Sequence, residues 1–324
     1  MSHEPGPASP SQHASSPATG PAGATSLSTT SRPLDGLAIA GAMLCCALWG
    51  GNAVAVKSVV GEVPPLGLAG IRFIISLPVI AWVASRTAGK FRIRRENWWL
   101  VPIHGVILAI QVSSFNWGTS HGQAGRSSVF INVHPLVVTP LSVWLLGERI
   151  GWRAVAGLFS AFGGVIVLVA GRLMAGGDPK ADAIVFCSGC LFGAQSVFQK
   201  WTYKKIPPAT LLFWQTPFAI FTCLSATLIF ESGSPWNIDR AGALAIAYQG
   251  LAVSGVCFSV WSLLLGRYEA ARLAALGFMT PLFGISLGTM IHGEPITTSL
   301  IAGAALVGFG VYLSAADKVR KKAA

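Results

Sequence analysis

The sequence predicts an all-α integral membrane protein with ten transmembrane helices, arranged as two inverted five-helix repeats. Three observations predict it: a composition poor in charge, a succession of apolar runs long enough to span a bilayer, and a match between the two halves of the chain. The 324 residues are 52% hydrophobic and only 11% charged, with a mean hydropathy of +0.61. Soluble domains carry about 25% charged residues, so most of this chain's surface is suited to lipid and not to water.

Residues 1–35 are rich in Ser, Pro, Ala, Thr and Gly, with almost no large apolar side chain before Leu34. Such a segment buries too little to offset its ordering entropy and is expected to be a disordered cytoplasmic tail. It lacks the charged start and short apolar core of a signal peptide. Ten apolar runs follow, at 37–57, 65–85, 98–118, 126–146, 153–171, 181–201, 209–230, 241–262, 272–291 and 296–315. Each is about the length that crosses a hydrocarbon core. The period-two alternation of a membrane barrel is absent. Residues 317–324 form a short basic tail.

The basic residues set an orientation. With both termini in the cytoplasm, the inner loops hold Arg86, Lys90, Arg92, Arg94, Arg95, Arg149, Arg153, Lys204, Lys205, Arg267 and Arg272. The tails add Arg32, Lys318, Arg320, Lys321 and Lys322, whereas the outer segments hold only Arg126, Arg172, Lys180 and Arg240. This predicts a multi-pass membrane protein with both termini cytoplasmic. The net charge of +11 is therefore an orientation signal. No nucleic-acid motif accompanies it, and the expected partners are the lipid bilayer and a small-molecule substrate, with no oligomer required. The six cysteines, Cys45, Cys46, Cys187, Cys190, Cys223 and Cys257, fall in apolar runs and read as small buried residues; no metal or cofactor is expected.

The halves match residue by residue. At an offset of 143, Leu48, Gly50, Val54, Lys57, Pro64 and Pro65 meet Leu191, Gly193, Val197, Lys200, Pro207 and Pro208. At an offset of 146, Ala124, Arg126, Pro135, Leu136, Gly147, Glu148, Ile150 and Gly157 meet Ala270, Arg272, Pro281, Leu282, Gly293, Glu294, Ile296 and Gly303. The change of offset implies a small insertion near the link between the eighth and ninth runs. Five runs per half is an odd number, so the second repeat (175–316) enters the membrane the opposite way from the first (36–174), as in many secondary transporters.

Leu48-Trp49-Gly50-Gly51-Asn52 with Lys57 resembles the first-span motif of the EamA-like family of the drug/metabolite transporter superfamily. Arg72-Phe73 and Gly147-Glu148-Arg149 are also similar to that family, and the resemblance covers residues 37–316. It implies a bacterial inner-membrane carrier that exports amino acids or other metabolites. The second half departs from the pattern, with Gln215 where the first has Arg72.

Candidate residues follow from the cost of burying polar groups in lipid. Arg72 has two readings, a fork for a substrate carboxylate or a tie to a neighbouring helix. Trp49, Asn52, Phe192 and Gln195 hold equivalent positions and read as cavity lining or as helix packing eased by Gly50, Gly51 and Gly193. Gln111, Asn116, Asn132, Gln215, Tyr248 and Gln249 are polar contacts for a substrate or hydrogen-bonded packing. Lys57 and Lys200, near span ends, read as snorkelling or gate contacts. Pro135 and Pro281 are expected mid-span, as hinges or fixed bends. His134 could carry a proton, although an interhelical hydrogen bond is the plainer reading. Trp98 and Trp99 read as interfacial aromatics. Glu148 and Glu294 sit at run ends, where they would cap helix starts. No Asp or Glu falls near a run centre, and no GxSxG, HExxH or paired-Asp motif occurs, so no enzyme is expected. Together these predict an alternating-access exporter of a small polar metabolite such as an amino acid or derivative. An importer, a broad-specificity carrier, and a membrane scaffold or sensor are the alternatives.

Overall fold

The expected apolar runs become helices in the computed structural model, which describes residues 34–87, 91–174, 177–284, 286 and 298–316. The predicted tails and Glu294 lie outside the described residues. The helices are α1 Gly36–Lys57, α2 Pro65–Thr87, α3 Arg95–His121, α4 Ala124–Leu146, α5 Trp152–Met174, α6 Pro179–Thr202, α7 Pro208–Phe230, α8 Arg240–Arg267, α9 Ala270–Gly284 and α10 Thr298–Ala316. Seven of them, α1 to α4 and α6 to α8, are long and apolar enough to cross a membrane. In α5, α9 and α10 the apolar stretches are shorter: Trp152–Val167, Ala270–Gly284 and Ile301–Ser314. No β-strand occurs among the described residues.

Local chemistry sets the helix ends. Asp35 accepts from the Ala38 N–H at 2.8 Å, and Asp239 from the Gly242 N–H at 2.7 Å, both as N-caps. Proline opens α2, α6 and α7, where its missing donor costs nothing. Gly147 ends α4 with φ +69°, a left-handed conformation that glycine adopts without strain. Large apolar side chains point outward: Trp144 is 78% and Phe230 77% exposed, a surface that suits lipid. Polar residues are turned inward, with Arg72, His104, Gln215 and Gln249 buried. Cys187 departs from the sequence expectation. It is exposed and Cys190 half-buried, while the other four cysteines are buried.

Four helices are irregular. α1 is interrupted at Gly51 between Gly36–Gly50 and Asn52–Lys57. α4 changes to a 3-10 turn at Ile131–Val133 and resumes at His134. α9 does the same at Gly277–Met279 and resumes at Thr280. Pro135 and Pro281 each follow such a turn inside α4 and α9, mid-helix as the sequence places them. They occupy the first turn after a break, where proline is tolerated. The prolines inside unbroken helical runs are Pro78, Pro140 and Pro217. In α8 the segment Tyr248–Cys257 is a π-helix, a wider turn that is uncommon and tends to mark functional sites.

The break in α1 frees the Leu48 carbonyl, and the Tyr248 hydroxyl donates to it, packed over Gly51, where a methyl group would lie 2.7 Å from the same oxygen. Tyr248→Phe should therefore leave a half-buried carbonyl unpaired and cost about 1 kcal/mol, read as a lower thermal-unfolding midpoint in detergent.

The close helix crossings come in pairs. A Cβ at Gly50 would sit 3.1 Å from the Thr280 carbonyl oxygen and 2.8 Å from Gly284 N, and one at Gly193 would sit 2.7 Å from the His134 carbonyl oxygen. A Cβ at Gly105 would lie 2.7 Å from the Gln215 carbonyl oxygen, and one at Gly250 3.3 Å from that of Arg72. Cys46 Sγ donates to the Leu276 carbonyl at 3.3 Å, while Gly189 abuts that of Phe130. The α1–α9 and α6–α4 contacts thus involve residues matched at 143 and 146. Gly105 and Gly250 are already 250 − 105 = 145 apart, so most of the insertion expected at the α8–α9 link falls before it. Gly50→Val and Gly193→Val should destabilise alike, by about 1–3 kcal/mol from overpacking, in parallel thermal melts. Helices α5 and α10 pack on each other through Gly164, where a Cβ would lie 2.8 Å from the Gly303 carbonyl oxygen.

Candidate functional site

The irregular helices surround a central cavity. The centre of a water-sized sphere can move through about 90 Å³ of it, room for several waters or a small solute. Its lining includes Trp49 and Asn52 at the α1 interruption, Ile131, Asn132 and His134 at the α4 break, and Thr280 at the α9 break. Helices α2, α3, α6 and α8 add Arg72, Gln111, Phe192 and Val253. None of the described residues of α5 and α10 is among its lining. The aromatic wall is built on Trp49, which meets Phe192 edge-on at 6.1 Å and Phe258 at 6.5 Å.

Arg72 dominates the electrostatics. It is 2% exposed and its Nε donates to Ser254 Oγ at 2.7 Å. Ser254 belongs to the π-helical segment of α8, so the wide turn there holds the guanidinium. Among the described residues no carboxylate pairs with Arg72, and the cavity carries an unbalanced positive charge. Gln111 is tied to α6: its Nε2 donates to Ser188 Oγ at 3.0 Å, and that hydroxyl donates to the Gln111 carbonyl at 2.8 Å. Asn132 Nδ2 donates to the Ser128 carbonyl at 2.6 Å. Its Oδ1 is buried without a partner among the described residues, as are Asn52 Oδ1 and His134 Nε2.

Trp49, Asn52, Arg72, Gln111, Asn132, His134 and Phe192 are thus brought together, and the remaining candidates are not among the lining residues. Asn116 Nδ2 donates to the Pro65 carbonyl at 3.3 Å, and Gln249 Nε2 to the Ala55 carbonyl at 3.3 Å. Gln215 is buried beside the α3 crossing, Tyr248 is spent on Leu48, and Gln195 is buried with both side-chain polar atoms unpartnered. Sequence reasoning missed Val112, Phe115, Ile131, Val253, Phe258 and Thr280. The apolar ones carry no sequence signal, but Thr280 stands at an offset of 146 from His134 and could have been found that way.

Ionic contacts tie the helices near their ends. Lys57 Nζ donates to the Ser120 carbonyl at 2.9 Å at the end of α3, and Lys200 to those of Leu265, at 3.2 Å, and Tyr268 at the end of α8. Lys200 also pairs with Glu148 at 3.4 Å. Glu148 accepts from the Ala270 and Ala271 N–H groups at 2.8 and 3.2 Å, capping α9 as its position suggested. At the other end Glu231 accepts from the Leu66 and Gly67 N–H groups at 3.0 and 3.3 Å, capping α2, and Arg126 pairs with Asp182. Burial raises the Glu231 carboxyl above the usual glutamate range, against the pull of those N–H donors. Hydrogen bonds from the Tyr268 hydroxyl and the Ala38 N–H hold the Asp35 carboxyl below the usual aspartate range. The contribution of Asp35 to stability is therefore present above its unfolded pKa and lost as pH falls through the lowered folded value.

An all-helical protein with several membrane-crossing helices around a polar, aromatic-walled cavity is a multi-pass membrane protein of the carrier type. The EamA-like transporter family profile matches it twice, at residues 36–170 and 179–316, and the chain belongs to that family. It is 28% identical over 289 residues to a protein of Salmonella typhimurium named "Probable amino-acid metabolite efflux pump", covering 84% of this chain and 93% of the relative. A protein of the same name from Escherichia coli is 26% identical, with the same coverage. The "Uncharacterized transporter YoaV" of Bacillus subtilis is 24% identical, covering 85% of this chain and 95% of the relative. A solved crystal structure superposes with a TM-score of 0.72 at 21% identity, covering 86% of this chain and 96% of the other, which establishes likeness of fold. The family and the relatives' names point to membrane transport and not to an enzyme.

Proposed function

We propose that the protein is a secondary transporter that exports a small polar metabolite, an amino acid or close derivative, by alternating access. One observation carries the reading: the central cavity holds a buried guanidinium with no carboxylate partner among the described residues, a site that favours an anionic group on the solute. The efflux direction and the amino-acid class come from the relatives' names. On this reading all ten helices span the inner membrane, α5 and α10 brace the bundle from outside, and both termini are cytoplasmic. The domains are two inverted repeats, 36–174 and 175–316. The doubled family match and the paired crossings support that arrangement. Arg72, Trp49, Asn52, Gln111, Asn132, His134 and Phe192 would contact substrate, and the breaks before Pro135 and Pro281 would act as hinges.

The test is counterflow in proteoliposomes, using the twenty protein amino acids, each radiolabelled. Saturable exchange of at least one is expected. Flux that rises linearly with concentration, or no flux at all, would remove the carrier reading.

A further inference from the structure

We propose that the α2–α3 loop and the α6–α7 link together form a binding site for the headgroup of an anionic phospholipid. Arg92, Arg95, Lys204 and Lys205 are exposed and have no acidic partner among the described residues. Arg94 pairs with Glu96 at 3.2 Å, but those side chains are 79% and 61% exposed, so the pair is weak and readily exchanged for another anion. Over 91–97 and 202–206, Glu96 is the one acid against these five cations. None of them lines the central cavity, so the site is a second one.

Packing makes the two segments one surface. They come from different halves of the chain, yet Ile93 and Ile206 are buried in the same apolar cluster, with Leu100, Val101 and Leu211. Ile93 lies between Arg92 and Arg94, and Ile206 directly follows Lys205. The cations therefore emerge around a shared core. The backbone is held on both sides. Trp214 Nε1 donates to the Phe91 carbonyl at 2.8 Å, and Trp98 meets Trp214 at 5.2 Å. The Lys205 and Ile206 N–H groups both donate to the Thr202 carbonyl, at 2.8 and 3.0 Å. The Thr202 hydroxyl is tied to His104 of α3 at 2.9 Å. Orienting the chain in a membrane would need only the charges of these loops, not a core that joins them.

The place selects the ligand. The helices joined by the two segments, α2, α3, α6 and α7, are each long and apolar enough to cross a membrane, so the cations stand at headgroup level. Trp82 and Trp99, 62% and 55% exposed, lie near this end of α2 and α3, as interfacial side chains do. Arg86 lies 5.9 Å over the Trp82 ring. Clusters of about four to eight Lys and Arg beside a span suit acidic lipid. Arginine forks fit a phosphodiester through two parallel hydrogen bonds. A phosphate dissolved in water offers the same oxygens but no acyl chain for the apolar flanks. Bound lipid would brace the two halves of the chain against each other at this face.

The test uses the full-length protein in a non-ionic detergent, titrated with dioctanoyl phosphatidylglycerol or dioctanoyl phosphatidylcholine, which differ only in headgroup. The thermal-unfolding midpoint reads binding by mass action. Phosphatidylglycerol should bind at least about tenfold more tightly at low salt, and lose most of that preference at about 1 M sodium chloride. Lys204→Gln combined with Lys205→Gln should weaken phosphatidylglycerol about 10- to 30-fold, with Arg92, Arg94 and Arg95 left in place to orient the chain. Arg149→Gln combined with Arg153→Gln removes two exposed cations of the α4–α5 loop and should leave the affinity unchanged. Equal binding of the two lipids would overturn the proposal. So would an equal loss in the two double variants, which would mean diffuse surface charge and no site. Glycerol 3-phosphate that raises the midpoint at the same concentrations as phosphatidylglycerol would show a site for a soluble phosphate and overturn the lipid. Should the lysine variant fail to fold, the headgroup preference, its salt dependence and the glycerol 3-phosphate arm still decide.

Discussion

Arg72→Met should weaken saturable amino-acid transport by about one to two orders of magnitude in KM and leave the protein at least as stable as the wild type. The two halves of that expectation have one cause. Arg72 is buried with its Nε donating to Ser254 Oγ, and a buried charge without a counter-charge destabilises the fold that holds it. Met fills a similar volume without the charge, so the unfolding midpoint should stay level or rise. The substrate loses a charged, bidentate hydrogen-bonding partner worth about 1.5–3 kcal/mol, which raises KM roughly 10- to 150-fold. Arg72→Lys should recover only part, since an ammonium cannot reproduce the planar fork. A thermal-shift assay separates function from folding. The amino-acid mixture should raise the wild-type midpoint by mass action and leave that of Arg72→Met unmoved. If Arg72→Met melts lower and transports normally, the guanidinium is structural and the proposed site is wrong.

The sequence made the helices legible because each apolar run was long and bounded by charge, proline or glycine. Its repeat also had structural content: Gly50 and Gly193 were matched by letters alone, and both prove to be places where another helix's carbonyl comes too close for a side chain. What the letters did not show is where helices stop being regular. The interruption at Gly51 and the 3-10 turns at Ile131–Val133 and Gly277–Met279 depend on tertiary partners, such as the Tyr248 hydroxyl on Leu48. The π-helix around Ser254 carries no composition signal, so the residue that anchors Arg72 was invisible. Counting intramembrane polar residues found the cavity's Arg, His, Gln and both of its Asn residues. The same count swept in Asn116 and Gln249, which serve neighbouring carbonyls, and Tyr248, whose role is to hold a helix break. Polarity identifies groups that need a partner, but which side of the helix supplies it is a fact of packing.

Glu148→Ala should open one face of the molecule, and Glu231→Ala the other. Both carboxylates cross between the halves to cap a helix start, Glu148 on α9 and Glu231 on α2. On the proposed topology, with successive helices crossing in alternate directions, these latches would lie at opposite membrane faces. Removing Glu148 also strips Lys200 of its counter-ion. Losing one partner of a buried pair costs about 3–5 kcal/mol, relieved in part here by the Leu265 and Tyr268 carbonyls that Lys200 keeps. A net loss of about 2–3 kcal/mol on the closed form of that face shifts its open–closed ratio on the order of 30- to 150-fold. Hydrogen exchange of the Ala270 and Ala271 amides should rise accordingly. Thr139→Cys, in the small pocket beside this network, should become reactive to a membrane-impermeant maleimide in a background lacking the native cysteines. Glu148→Gln, which keeps an acceptor, should fall between. A carrier cannot open both faces at once, so Glu231→Ala should move Thr139→Cys reactivity downward. Changes of the same sign from the two substitutions would show that the carboxylates merely stabilise the fold, and alternating closure would then have no support from these contacts.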